Sequence, residues 1–179
     1  PHSSRRRPRL QKTTDSLASV MSVLDSIVKA YDIRGTVPDQ LDADVAHALG
    51  VGFAAFVRSD RVVIGRDMRP SGPSLVEAFT RGVNEQGVDV IDIGLASTDL
   101  MYYAAGVLDV PGAMFTASHN PAGYNGVKLC LAGARPIGVD TGLVDVQAVA
   151  QQVLDGKGPL HAATCGTRSE RDLLSDFAD

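Results

Sequence analysis

Pro111-Gly112-Ala113-Met114-Phe115, a short apolar run, leads directly into the polar segment Thr116-Ala117-Ser118-His119-Asn120-Pro121. The apolar run is short and begins with a proline, which predicts a buried strand. The Asn120-Pro121 pair favours a turn immediately after it. Open α/β sheets bind their ligands beyond the carboxyl ends of strands. The stretch therefore predicts a ligand-binding loop around Ser118.

Helix-like and strand-like segments alternate on both sides of this loop, from about residue 27 to residue 154. We expect a helix over 42–57 with Asp42 as its N-cap, and a second from Ser71, its N-cap, to Gly87, with Pro73 just inside its start. Further helices are expected from residue 97 or 98 to 108 and over 140–154. Strands are expected at 61–65, 88–93, 111–115 and 126–131. This alternation predicts an α/β fold: a three-layer α/β/α domain with a mixed, mostly parallel sheet.

The composition of the 179-residue chain, with 44% hydrophobic and 21% charged residues, is close to the average for globular proteins. The apolar run 51–57 is among the longest and falls far short of the roughly 20 residues that cross a bilayer. We therefore expect no membrane partner. Cys130 and Cys165 lack the spacing of a metal site, which favours a reducing compartment and a cytoplasmic protein.

Charge divides the chain unevenly. Residues 1–20 contain one acidic residue, Asp15, and have a net charge of +4 because they also contain five basic residues (Arg5, Arg6, Arg7, Arg9 and Lys12). The whole chain has a net charge of −4, so residues 21–179 have a net charge of −8. We interpret residues 1–21 as a disordered basic tail. The alternative is a nucleic-acid-binding arm, but no aromatic residue lies among the arginines and the acidic body repels phosphate backbones. We expect no nucleic-acid partner.

The composition also changes after Gly156, where Lys157-Gly158-Pro159 opens a polar stretch. We predict a folded domain over 22–156 and a linker over 157–169. Residues 170–179 are expected to start a truncated second domain, because Leu173, Leu174 and Phe177 are spaced like one face of a helix.

Ser118 is the candidate reactive residue of the loop. A serine hydroxyl is a weak nucleophile without an activating base. His119 is adjacent in sequence, where side chains rarely face each other, and no Gly-x-Ser-x-Gly elbow surrounds the serine, so a hydrolase is disfavoured. Gly123 and Gly126 instead let main-chain amides approach an anion, and Lys128 could return a positive charge to the loop. The pattern predicts a phosphate-holding loop.

Residues 116–121, followed by Tyr124-Asn125-Gly126-Val127-Lys128, resemble the active-site loop of the α-D-phosphohexomutase family, in its phosphomannomutase/phosphoglucomutase branch. Lys29-Ala30-Tyr31-Asp32-Ile33-Arg34-Gly35 resembles the N-terminal signature of that branch, and Gly65-Arg66-Asp67-Met68-Arg69-Pro70-Ser71 resembles its second signature. The three occur in the family's order. The resemblance covers about 27–154, which matches the family's N-terminal, phosphoserine domain.

The resemblance implies that Ser118 is phosphorylated and transfers its phosphoryl group to a hexose monophosphate, then recovers one from a hexose bisphosphate. The net result interconverts hexose 6-phosphate and hexose 1-phosphate, of mannose or glucose. His119, Lys128 and Arg34 would act beside Ser118, and Tyr31 and Asn120 would bind substrate. Simpler readings stay open: His119 bracing the loop, Arg34 as a surface charge, and Tyr31 as a packed aromatic residue.

Two further expectations concern the surroundings of this site. An Arg66–Asp67 pair and the Ser71 cap would fix the start of the second helix and support the loop from behind, with Arg69 also structural. The resemblance implies Mg²⁺ held by phosphorylated Ser118 and by an Asp-Gly-Asp-Gly-Asp type loop, which this sequence lacks. We expect the remaining ligands in further domains of the parent chain, and the isolated chain to be inactive. The alternative is a non-catalytic sugar-phosphate-binding relic.

Overall fold

The structure, a computed structural model, describes residues 22–178; the predicted basic tail and residue 179 lie outside this range. The helices are α1 (Val23–Ile27), α2 (Ala43–Val57), α3 (Gly72–Glu85), α4 (Thr98–Val107), α5 (Leu143–Leu154) and α6 (Leu174–Ala178). The strands are β1 (Ile33–Thr36), β2 (Arg61–Arg66), β3 (Asp89–Leu95), β4 (Gly112–Phe115), β5 (Tyr124–Leu131), β6 (Arg135–Pro136) and β7 (Arg168–Glu170).

The strands form one sheet in the order β1-β5-β4-β2-β3-β7, with β6 added beside β5. Helices α3 and α4 connect β2, β3 and β4, so these strands run parallel. The direct loop from β4 to β5 reverses the chain, and β5 is therefore antiparallel to β4 as well as to β1. The predicted α/β class with a mixed sheet is confirmed.

Each face of the sheet carries its own hydrophobic core. Residues from α1, α2, α3 and α5 pack against one face, and residues from α4 pack against the other. Neighbouring strand residues alternate between the two cores: Val62 and Ile64 belong to the first and Val63 to the second. The arrangement is the predicted three-layer sandwich.

Asp42 and Ser97 are confirmed as N-caps, whereas Ser71 lies at the predicted start of α3 but does not cap it. Asp42 accepts a hydrogen bond from the amide of Val45, and Ser97 accepts one from that of Leu100. Ser71 makes no such bond at the start of α3, because its hydroxyl accepts from Asn125 Nδ2 at 2.9 Å instead. The residue that the sequence assigned to capping thus ties α3 to β5.

The predicted helix over 140–154 begins later, at Leu143. Residues Val139–Thr141 form a separate 3₁₀ turn, and Gly142 follows with a φ of +124°. This backbone conformation is reserved for glycine and interrupts the helix.

The segment after α5 returns to the sheet. β7 runs parallel to β3, and the Arg168 guanidinium binds the carboxylates of Asp92 and Glu77. Residues 168 and 169 of the predicted linker therefore lie in an edge strand. Leu173 is buried in the α4 core, and the ring of Phe177 lies 5.4 Å from that of Tyr103. The proposed division into domains stays a prediction.

Among residues 22–178, every helix is too short or too polar to span a membrane.

Phe79 of α3 is fully buried between Phe53 and Phe115, with ring centroids 5.8 Å and 5.3 Å away. We expect Phe79→Ala to lower the free energy of unfolding by about 3–5 kcal/mol, because the cavity cannot fully collapse. Urea denaturation followed by circular dichroism measures this. Val107→Ala, at an exposed position of α4, is the control, with an expected change of about 0.5 kcal/mol or less. Equal effects of the two substitutions would contradict this account of the core.

Candidate functional site

The Ser118 loop, residues 116–123, joins β4 to β5 and lies beyond the carboxyl ends of the parallel strands. Ser118 is exposed and has a φ of +53°, a conformation that costs a non-glycine residue about 1–3 kcal/mol unless its surroundings impose it. Its amide donates to Thr116 Oγ1 at 2.9 Å. The amide and the side chain of Asn120 both donate to the carbonyl of Ala117, at 3.0 Å and 2.8 Å.

Arg69 holds this loop from beneath. Its side chain is only 9% exposed and donates to four main-chain carbonyls of the loop and its exit, all at 2.8 Å: those of Ser118, Asn120, Pro121 and Tyr124. A buried guanidinium needs hydrogen-bond acceptors and a counter-charge. The loop supplies the acceptors, and Asp67 supplies the charge.

The predicted Arg66–Asp67 pair is wrong. Asp67 Oδ2 accepts from Arg69 Nε at 3.3 Å, and Asp67 Oδ1 accepts from the Arg69 amide at 3.0 Å. Among residues 22–178, the Arg66 side chain makes one hydrogen bond, to the main-chain carbonyl of Asp67. The chain turns back after Asp67, and this turn brings Arg69 rather than Arg66 onto the carboxylate. The predicted support from behind the loop exists, but Arg69 provides it.

His119 contacts Ser118 although the two are adjacent in sequence. Its Nδ1 lies 3.2 Å from Ser118 Oγ, and both residues are exposed. The expectation that they would not face each other is wrong, because the left-handed backbone at Ser118 bends the chain between them. Within residues 22–178, no carboxylate lies within ion-pair distance of His119, so the geometry lacks the third member of a hydrolase triad.

Arg34 and Lys128 meet at a residue that the sequence analysis did not single out. Asp32 is 6% exposed, and its two carboxylate oxygens accept from Arg34 Nε and from Lys128 Nζ, each at 3.0 Å. The half-buried Tyr102 of α4 lies nearby: burial raises the pKa of its phenol, and Cys130 and Asp32 add to that effect. The phenol therefore stays protonated beside Asp32.

The sheet register relates this cluster to the Ser118 loop. Arg34 pairs with Gly126 across β1 and β5, and the carbonyl of Gly126 accepts from the amide of Thr116. Since adjacent strands lie about 4.8 Å apart, the backbones of Arg34 and Thr116 are about 10 Å apart. A Cβ at Gly126 would stand 3.0 Å from the Thr116 carbonyl oxygen and would collide with that of Ile33. Glycine is therefore required at position 126, where the carbonyls of Ile33 and Thr116 lie close to the β5 backbone.

Five of the six predicted site residues thus form two groups, and Tyr31 lies outside both. Ser118, His119 and Asn120 share the loop, and Arg34 and Lys128 share Asp32; within residues 22–178 no direct hydrogen bond joins the groups. Tyr31 is 75% exposed, and its ring lies beside Gly138. The Asn120 side chain donates to its own loop. Substrate binding by Tyr31 and Asn120 stays a prediction.

A depression of about 280 Å³ opens beside Ser118. Its walls include Asp67, Met68, Pro70, Asn120 and Ala122. Among residues 22–178 there is no group of three His, Cys, Asp or Glu side chains placed to hold a metal ion. Both oxygens of Asp67 are already bonded to Arg69. Metal binding by Ser118, through its phosphate, stays a prediction.

Residues 25–151 match the model of the phosphoglucomutase/phosphomannomutase family, alpha/beta/alpha domain I. The chain belongs to this family. It is 40% identical over 152 residues to a phosphomannomutase of Klebsiella pneumoniae, covering 84% of this chain and 96% of that sequence. It is 45% identical over 152 residues to a phosphomannomutase of Salmonella typhimurium, covering 84% of this chain and 33% of that one.

A solved structure gives the same result for the fold. The crystal structure of a phosphoglucomutase/phosphomannomutase family protein from Burkholderia thailandensis superposes with a TM-score of 0.74 at 37% identity, covering 88% of this chain and 35% of that protein. The chain thus spans about a third of the Salmonella and Burkholderia proteins. The predicted family and N-terminal domain are confirmed.

Asp32→Asn tests the cluster that holds Arg34 and Lys128. The substitution removes the carboxylate that both cations share and leaves them facing each other. Since their side chains are 35% and 28% exposed, we expect a loss of about 1–2 kcal/mol in the free energy of unfolding, between the values for surface and buried pairs. Added salt should reduce the loss by screening the repulsion. Asp140→Asn, at an exposed position, is the control; an equal loss there would contradict the prediction.

Proposed function

We propose that this chain is the catalytic-serine domain of an enzyme that interconverts hexose 6-phosphates and hexose 1-phosphates. The observation that carries the proposal is the exposed Ser118 hydroxyl, beside His119 Nδ1, on a loop whose carbonyls are bonded to a buried arginine. Membership of the family supports it. The names of the Klebsiella and Salmonella relatives favour mannose phosphate as a substrate, with glucose phosphate as the second candidate.

Ser118 carries the phosphoryl group in the resting state. A hydroxyl of the hexose monophosphate attacks the phosphorus, the bond between phosphorus and serine oxygen breaks, and a hexose bisphosphate forms. The proton lost by the sugar hydroxyl is balanced by the proton gained by the serine oxygen. His119 is the proposed donor of that proton, and the contact between its Nδ1 and Ser118 Oγ supports this role. After the bisphosphate turns around, the reverse transfer restores the phosphoserine and releases the isomer.

Arg34 and Lys128 supply positive charge beside the loop. Charge spreads over the phosphoryl oxygens during transfer, so fixed cations favour the transition state. Asp32 bonds to both and limits how far either side chain can move. Tyr31, which is exposed and lies two residues before β1, and Asn120 are the proposed sugar contacts.

Mg²⁺ fits this site only in part. Phosphorylated Ser118 would be one oxygen ligand, and the ion when bound would neutralise charge on the phosphoryl group. The other ligands would come from the remaining domains of the parent protein. We therefore expect this chain alone not to turn over hexose phosphates. The two free cysteines fit a reducing compartment, and we place the protein in the cytoplasm.

Intact-mass analysis of the parent protein, expressed with its remaining domains, tests the role of Ser118. We expect one covalent phosphate, gained on incubation with a hexose 1,6-bisphosphate and lost in Ser118→Ala. Ser74→Ala, at an exposed serine of α3, is the matched control and should keep both the phosphate and the activity. A phosphate that persists in Ser118→Ala would mean that another residue is the carrier.

A further inference from the structure

The guanidinium of Arg69 uses every hydrogen that it can donate. Nε bonds to Asp67, Nη1 to the carbonyls of Pro121 and Tyr124, and Nη2 to the carbonyls of Ser118 and Asn120. An arginine side chain has five N–H donors in a planar fork. Lysine has three donors around one nitrogen and cannot reproduce this pattern. The four loop carbonyls are therefore fixed in direction by a single side chain.

When the direction of a carbonyl is fixed, the direction of the next residue's amide is fixed as well. In a trans peptide the C=O of one residue and the N–H of the next point in opposite directions. The only cis peptide bond among residues 22–178 is Val37–Pro38, so the loop peptides are trans. Because the carbonyls of Ser118 and Pro121 point at Arg69, the amides of His119 and Ala122 point away from it.

These two amides are available to a ligand. The amide of Ser118 donates to Thr116 Oγ1, that of Asn120 to the carbonyl of Ala117, and that of Tyr124 to the carbonyl of Pro121. Across residues 22–178, the amides of His119 and Ala122 donate to no other group. Both residues are exposed, and Ala122 lines the depression beside Ser118. Main-chain amides turned out of a tight loop form anion-binding concavities.

We propose that Arg69 is a positioning residue that turns the amides of His119 and Ala122 toward the phosphoryl group on Ser118. The inference rests on the proposed function, because it takes Ser118 as the carrier. Arg69 itself does not touch the phosphoryl group. Asp67 neutralises its charge, so its contribution is the direction of the two amides rather than electrostatic attraction.

Amide proton chemical shifts of the 179-residue chain test this proposal without any enzymatic step. Phosphoserine is introduced at position 118 during translation, and the spectrum is compared with that of the unmodified chain. We expect the amide protons of His119 and Ala122 to move downfield, more than any amide outside residues 116–126, and to follow the titration of the phosphate. Unchanged amide proton shifts of His119 and Ala122 in a folded, phosphorylated chain would overturn the proposal. The role of Ser118 as phosphoryl carrier would not be affected, because the intact-mass analysis tests it separately.

Variants separate positioning from general stability. In Arg69→Lys we expect these two shifts to be lost while the amides of α2 and α5 keep their positions. In Asp67→Asn, which removes the counter-charge and keeps an acceptor oxygen, the shifts should remain. Arg168→Lys, at an arginine bonded to Asp92 and Glu77 away from the loop, is the matched control and should also keep them. If Arg69→Lys retains both shifts, Arg69 only braces the loop and the proposal is overturned. If Arg69→Lys fails to fold, the phosphorylated wild-type chain still decides, because unchanged amides of His119 and Ala122 there would overturn the proposal.

Discussion

The five hydrogen bonds of the Arg69 guanidinium are the constraint on which the Ser118 loop depends. The loop joins two antiparallel strands and presents carbonyls that are outside the sheet, and the buried guanidinium needs acceptors of this kind. A buried cation satisfies four of them, and Asp67 balances its charge. Since both residues follow β2, the parallel part of the sheet fixes the conformation of the loop in the antiparallel part. The unfavourable φ of Ser118 persists because its surroundings hold it.

The mixed sheet also explains how two groups of charged residues come close together. A parallel connection would have placed a helix after β4, whereas the direct turn into β5 returns the chain beside β1. Gly126 lets β1 and the Thr116 carbonyl pack closely against β5, and Asp32 keeps Arg34 and Lys128 on one carboxylate. The cations are thus held near the serine by the register of three strands rather than by contact with it.

Much of this could be predicted from the sequence. The apolar runs and the caps at Asp42 and Ser97 predicted the helices and strands of the three layers. Three motifs in the family's order predicted the family and the loop that carries Ser118. Arg69 and Asp32 lie inside those motifs, but spacing does not show which way a side chain turns. Asp67 could pair with either flanking arginine, and only the backbone turn after it selects Arg69. Ser71 had the position of a cap, yet Asn125, 54 residues later, takes its hydroxyl. Long-range partners of this kind leave no periodic signal.

The most direct test of the central claim is a crystal structure of the chain carrying phosphoserine at position 118. The account predicts that Arg69 keeps its bonds to the carbonyls of Ser118, Asn120, Pro121 and Tyr124. It also predicts that phosphoryl oxygens accept hydrogen bonds from the amides of His119 and Ala122, at about 2.7–3.2 Å between nitrogen and oxygen. A phosphoryl group that bonds directly to Arg69, or that extends into solvent with both amides unbonded, would contradict it.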